Sequence, residues 1–172
     1  GEYTIGVRFK LPDFNFQTEA GPVTVTFDNT SPQITSVSPD AGGFTNNNQI
    51  PISASYTDSA SAIDTAGIRL TVNGEDVTSR ADITASDISY TPSQAYSEGQ
   101  VTISISVPDT AGNFSRESAF FTVDTVPPQI SNLTPASGTL LNEIKPLFSA
   151  DFSDSTSGID TNSATITLDI QS

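Results

Sequence analysis

The chain contains no cysteine, methionine, histidine or tryptophan. Without cysteine there can be no disulfide, which excludes an antibody-type domain with its paired cysteines and leaves the redox compartment open. Without histidine or cysteine, neither a Ser-His-Asp arrangement nor a Cys-His pair can form within the chain. A glycosidase would need two carboxylates facing across a cleft, but the acidic residues here fall in recurring loops. The residues therefore predict no enzyme. Basic side chains are scarce as well: 6 Lys and Arg stand against 20 Asp and Glu, a formal charge of −14. Nucleic acid is a poor partner for such a chain, because backbone binding rests on Lys and Arg neutralising phosphates. Anionic membrane surfaces are disfavoured for the same reason, and no stretch approaches the roughly 20 apolar residues that would allow membrane insertion. Cations, polar glycans and basic protein patches remain open as partners. The charge by itself describes a soluble, self-repelling surface.

What the chain does have is an echo of itself. Pro32-Gln33-Ile34 returns as Pro128-Gln129-Ile130, a shift of 96 positions. The same shift carries Asp28 to Asp124, Pro39 to Pro135, Gly42 to Gly138, Asp58-Ser59 to Asp154-Ser155 and Ile63-Asp64-Thr65 to Ile159-Asp160-Thr161. A unit of this length is the size of a small sandwich domain, roughly 100 residues. The phase divides the chain into 1–28, the last two strands (F and G) of one repeat; 29–124, a whole repeat; and 125–172, the first strands (A, B and C) of the next. The expectation is a window on a longer tandem array, with neighbouring repeats of the same protein as partners. The alternative is that 125–172 of one copy and 1–28 of another complete each other head to tail.

Strand signals dominate, as short runs alternating apolar and hydroxyl residues between Gly, Pro, Asn and Asp. Val101, Ile103, Ile105 and Val107 share one face of such a run, and Thr102, Ser104 and Ser106 the other. Tyr3, Ile5, Val7 and Phe9 repeat that pattern, and Val23, Val25 and Phe27 match Ala119, Phe121 and Val123. The whole repeat reads as strands A to G over about 33–38, 49–57, 67–73, 81–85, 87–91, 100–107 and 117–124, with Asn73-Gly74 as a tight turn after C. The Pro-bearing stretches 28–32 and 124–128 are the linkers, stiffened because proline restricts both itself and its predecessor.

Four motifs occur together: Asp-Thr-x-x-Pro at 124–128, Asp-Ser-x-Ser-x-Ile-Asp at 58–64, Glu-Gly-x-x-Thr-Ile at 98–103 and Asp-Thr-Ala-Gly-Asn at 109–113. Together they resemble the bacterial immunoglobulin-like repeats of large secreted and cell-surface proteins, adhesins among them. The resemblance implies an all-β chain of immunoglobulin-like β-sandwich repeats, located extracellularly or at the cell surface. It implies a structural spacer or stalk, with a protein- or glycan-binding module as the alternative; Phe14 and Phe16 are the hint of the latter. In an immunoglobulin-like topology the incoming linker, the B–C loop and the F–G loop gather at one pole. Asp28, Asp58, Asp64, Asp109 and Asn113 then become candidate Ca²⁺ ligands, since Ca²⁺ takes hard oxygen donors. Asp124, Asp154 and Asp160 are the corresponding candidates one repeat on. No EF-hand spacing is present, and Asp and Asn also serve as plain turn formers.

Overall fold

Alternation along the sequence becomes a dry face and a wet face in the structure. In the computed structural model, which describes residues 1–6, 8–10, 17–19 and 23–168, Val101, Ile103, Ile105 and Val107 are fully buried while the hydroxyl residues between them face outward. In chain order the strands are β1 (Glu2–Ile5), β2 (Arg8–Lys10), β3 (Gln17–Glu19), β4 (Val23–Thr26), β5 (Gln33–Ser38), β6 (Phe44–Thr45), β7 (Ile52–Thr57) and β8 (Arg69–Val72). They continue as β9 (Glu75–Asp76), β10 (Asp82–Ile83), β11 (Asp87–Tyr90), β12 (Gly99–Pro108), β13 (Phe114–Val123), β14 (Gln129–Thr134) and β15 (Ser149–Ser153). A single 3-10 turn, Thr78–Arg80, is the only helical element among the described residues.

The middle of the chain is a sandwich of two sheets. One has the order β10-β11-β7-β5 and the other β6-β13-β12-β8-β9. Each of the seven strands expected within 29–124 is present, and two short ones, β6 and β9, join them. β9 pairs back on β8 across Asn73-Gly74, whose positive φ angles of 50° and 80° give the tight hairpin turn. β6 is reached after the first strand leaves the β7 edge, and it runs parallel to β13. Three backbone bonds line that parallel seam: Gly42 N–H to Phe120 O, Thr122 N–H to Gly43 O and Asp124 N–H to Thr45 O. Between the sheets lie Ile52, Ala54 and Tyr56 from β7, Ile88 and Tyr90 from β11, Leu70 and Val72 from β8, and Phe121 and Val123 from β13. Each fully buried Ile, Leu, Val or Phe stabilises this core by about 1.5–3 kcal/mol.

The flanking segments carry the same strand pairings without the same burial. β1 pairs antiparallel with β4, Tyr3 opposite Val25. β14 pairs with β15, Ile130 opposite Phe152, which is the Ile34–Tyr56 pairing of β5 and β7 moved on by one repeat length. Residues 164–168, expected to open a C strand, form no ladder. In the sandwich that strand, β8, is held by β12, and among the described residues no such neighbour pairs with 164–168. Val7, the 11–16 turn with Phe14 and Phe16, and residues 20–22 and 169–172 lie outside the described residues.

Candidate metal centre

Three aspartates meet where the linker enters the sandwich, and each is placed there by its own tight turn. Asp28 closes a turn in the linker, its Oδ1 accepting the Thr30 N–H at 2.8 Å. Asp58 shapes the loop after β7, its Oδ1 accepting the N–H groups of Ala60 at 2.9 Å and Ser61 at 2.7 Å. Asp109 shapes the turn between β12 and β13, its Oδ1 accepting from Ala111 and Asn113, both at 2.8 Å. Short polar side chains bonding the local backbone are why Asp recurs at such positions. Each turn uses one carboxylate oxygen and leaves the second for other work.

The three turns are fastened to one another. Thr110 N–H donates to Ala62 O and Asp64 N–H to Pro108 O, joining the β7–β8 loop to the end of β12. Asn113 Nδ2 donates to Asp109 Oδ2 at 2.8 Å and to the backbone oxygen of Asp28 at 3.3 Å, joining the β12–β13 turn to the linker. The Ser115 hydroxyl donates to the carbonyl of buried Pro32, a second tie on the same linker. One oxygen from each of Asp28, Asp58 and Asp109 then lies within 4.8 Å of the others. That spacing, at most twice the usual Ca²⁺–oxygen distance of about 2.4 Å, brings the three oxygens near enough to converge on one cation.

Electrostatics sharpen the case. Asp109 is 3% exposed. Burial is the largest single influence on its carboxyl and pushes its pKa up. Donation from the Asn113 side chain and from the N–H groups of Asn113, Ala111 and Gly112 outweighs that push, so the net direction is below the ordinary value of 3.8. Asp109 is therefore an anion at neutral pH. Among the described residues, Asp28 Oδ2 and Asp58 Oδ2 are buried and accept no hydrogen bond, and Ser61 Oγ in the Asp58 turn is likewise buried and unpartnered. Buried acceptors left without donors are costly and uncommon. An all-oxygen set of three carboxylates, with buried oxygens lacking donors, fits a hard divalent cation.

The remaining sequence candidates fall in other places. Asp64 caps its own turn, Oδ1 facing the N–H groups of Ala66 and Gly67, and is not one of the three converging carboxylates. Its turn is tight: a Cβ on Gly67 would stand 2.6 Å from Pro108 Cγ and 2.7 Å from Asp64 Oδ2. Asp124 and Asp154 do come together, sharing the Ser157 N–H at 3.0 and 2.9 Å. Hydrogen bonding from Ser157, ahead of the opposing effect of burial, holds the Asp124 carboxyl below the ordinary range. Asp160 caps a local turn through Asn162 N–H, as Asp64 does. Ser115 was not singled out by the sequence reading, and Ser61 entered it only as a position of the 58–64 motif, matched by Ser157 in the following copy.

Among known proteins, residues 28–125 match the family model described as bacterial Ig-like domain. No curated protein matches the chain. Several solved structures are similar in part, two of them as follows. CopC from Methylosinus trichosporium OB3b shares 14% identity at a TM-score of 0.43, over 54% of this chain and 93% of that one. Dimeric latent PorU from Porphyromonas gingivalis shares 21% identity at a TM-score of 0.45, over 63% of this chain and 12% of that one. The family match spans more than half of the chain, from the first aspartate of the cluster to just past the last strand of the sandwich. The chain belongs to the bacterial Ig-like domain family.

Proposed function

We propose that the chain is a non-catalytic, load-bearing spacer of immunoglobulin-like repeats, outside the cell or at its surface, whose linker joint is stiffened by Ca²⁺. The observation that carries this reading is the convergence of Asp28, Asp58 and Asp109 at the linker, with two buried carboxylate oxygens left without donors. A cation there would tie three segments that are distant in sequence and fix the angle at which the chain enters the domain. The parallel β6–β13 seam supports the mechanical part. It lies between the entry and exit ends of the domain, so tension along the chain would load its three backbone bonds together in shear rather than one at a time.

The test is thermal unfolding of the chain in Ca²⁺ and in chelator. At a Ca²⁺ concentration about 100-fold above the dissociation constant, the expected stabilisation is about 2.7 kcal/mol, or about 10 °C or more in Tm for a domain of this size. Asp58→Asn should remove that response. Identical melting curves in the two conditions, with no metal found by mass analysis, would sink the calcium joint. On the mechanical side, the force needed to unfold the domain by its ends should fall when Thr122→Pro deletes one bond of the seam.

A further inference from the structure

At the end of β12 far from the aspartate cluster lies a cleft of about 420 Å³, walled by the β8–β9 hairpin and the 3-10 turn on one side and by residues 92–97 on the other. Small-ligand sites span about 300–1,000 Å³. Every residue lining the cleft belongs to the sandwich, and buried Val72, Val77 and Tyr90 form its floor. The Arg80 guanidinium lies over the Tyr90 ring, 5.7 Å from its centroid, and pairs with the Glu75 carboxylate. Stacking and pairing hold both polar heads in place while each stays partly open to solvent. Asn73 Oδ1 accepts the Thr102 N–H, which leaves the Asn73 NH₂ group to donate. Tyr96 adds an independent sign. Its N–H donates to Asn48 O at 2.7 Å and its ring meets Phe121 edge-on at 5.7 Å, so its place in the wall is fixed. Its hydroxyl is buried and, among the described residues, has no hydrogen-bond partner. Buried polar groups left so are costly and uncommon. Burial above all, and then the Tyr90 phenol, push Tyr96 up to about 12, so its hydroxyl keeps its proton and can donate.

We propose that this cleft binds a neutral sugar residue of a glycan, with Arg80, Glu75 and Tyr96 as its principal contacts. The charged groups of its lining are one Arg and one Glu, already paired, so neither an anion nor a cation meets a net field there. The formal charge of −14 makes an acidic ligand a still poorer fit. The lining offers donors in Arg80, Asn73 and Tyr96 and acceptors in Glu75 and the Gln94 side-chain carbonyl. A matching ligand must donate and accept at several points without carrying charge, which describes the hydroxyls of a sugar ring. The planar forks of Arg80 and Glu75 suit pairs of vicinal hydroxyls. A further hydroxyl seated against Tyr96 would give the phenol the partner it lacks. A single ring in an open cleft binds weakly, with a dissociation constant of about 1 mM. Glycan contact goes beyond the spacer role and does not rest on the calcium joint.

The test is titration of the isotope-labelled full chain with neutral tetrasaccharides of glucose, mannose, galactose and N-acetylglucosamine, followed through its backbone amide NMR shifts. The expected result is saturable movement confined to residues 72–80 and 90–98 with at least one of these sugars. Sodium glucuronate at the same concentration should move those amides less. Tyr96→Phe keeps the ring against Phe121 and removes only the unpartnered hydroxyl. Its affinity should fall about tenfold, the factor that one ordinary hydrogen bond commands, while its melting temperature does not fall. No saturable shift with any of the sugars, shifts centred elsewhere, or a stronger response to glucuronate would each overturn the proposal. So would a Tyr96→Phe variant that binds as the parent does, or one that loses melting temperature along with affinity. Chelator should leave the titration unchanged, because the aspartate cluster lies at the other end of β12.

Discussion

The two linker joints carry the same pair of aspartates one repeat length apart, Asp28 with Asp58 and Asp124 with Asp154, and differ in whether their carboxylates are satisfied. At the second joint Asp124 Oδ1 accepts the Val126 N–H and Oδ2 accepts the Ser157 N–H, so both oxygens have donors. At the first, Asp28 Oδ1 accepts the equivalent Thr30 N–H, while Oδ2 is buried with no donor. The local turn around Asp154 copies that around Asp58 bond for bond at Thr156 and Ser157. At the first joint the β12–β13 turn brings in a third carboxylate, Asp109, whose position one repeat length on falls past residue 172. Turn chemistry alone thus makes a joint of two aspartates that satisfies itself. The first joint holds three anions with buried oxygens lacking donors, and on that arrangement the proposed Ca²⁺ site rests.

The same contrast extends into the cores, and the largest expected effects lie there. Leu70 and Ile166 occupy the same repeat position, one 1% exposed and the other 67%. Leu70→Ala should destabilise the sandwich by about 2–5 kcal/mol. Ile166→Ala should change it by no more than about 0.5 kcal/mol. Chemical denaturation of the two variants measures both. Equal losses would mean that residues 129–168 are part of the cooperative core after all.

At the joints, Asp58→Asn should abolish the Ca²⁺-induced rise in Tm, about 2.7 kcal/mol at 100-fold excess over the dissociation constant, while Asp154→Asn should leave it unchanged. Loss of the response in Asp154→Asn instead would reverse the assignment of the two joints. Gly67→Ala should cost about 1–3 kcal/mol by forcing Pro108 or Asp64 aside. The counterpart position already carries Ser163, whose hydroxyl donates to Asp160 O, so Ser163→Ala should be close to neutral. Similar melting temperatures for the two variants would show that the Asp64 turn is looser than drawn.

The smallest effect is on pH dependence. Because the folded Asp109 carboxyl lies below its ordinary value, its contribution is present at neutral pH. It is lost as pH falls through 3.8 and below, where the unfolded chain takes up the proton first. Asp109→Asn should flatten the acid side of the stability profile without changing its shape above about pH 6. A variant that unfolds in acid as the parent does would contradict the depressed carboxyl.

Much of this was legible in the sequence, and the gaps have physical causes. The 101–107 alternation gave β12 because its period matches a half-buried strand, and Asn73-Gly74 gave the hairpin because few other dipeptides accept two positive φ angles. β6 was not legible: two residues, Phe44 and Thr45, carry no period, and only their seam with β13 makes them a strand. The aspartates at 28, 58 and 109 could be placed at one pole from topology. Spacing could not tell that Asp64 would turn back onto Ala66 and Gly67, because the direction of a carboxylate is set by the local N–H groups. Nor could spacing show which oxygens would be buried without a donor. That follows from the packing of the linker against the β12–β13 turn.

Isothermal titration of the chain with Ca²⁺ tests most directly the proposed binding at the joint of Asp28, Asp58 and Asp109. The account predicts one saturable site per chain, lost in Asp58→Asn and intact in Asp154→Asn. No heat of binding, or a site that survives Asp58→Asn and disappears in Asp154→Asn, would contradict it.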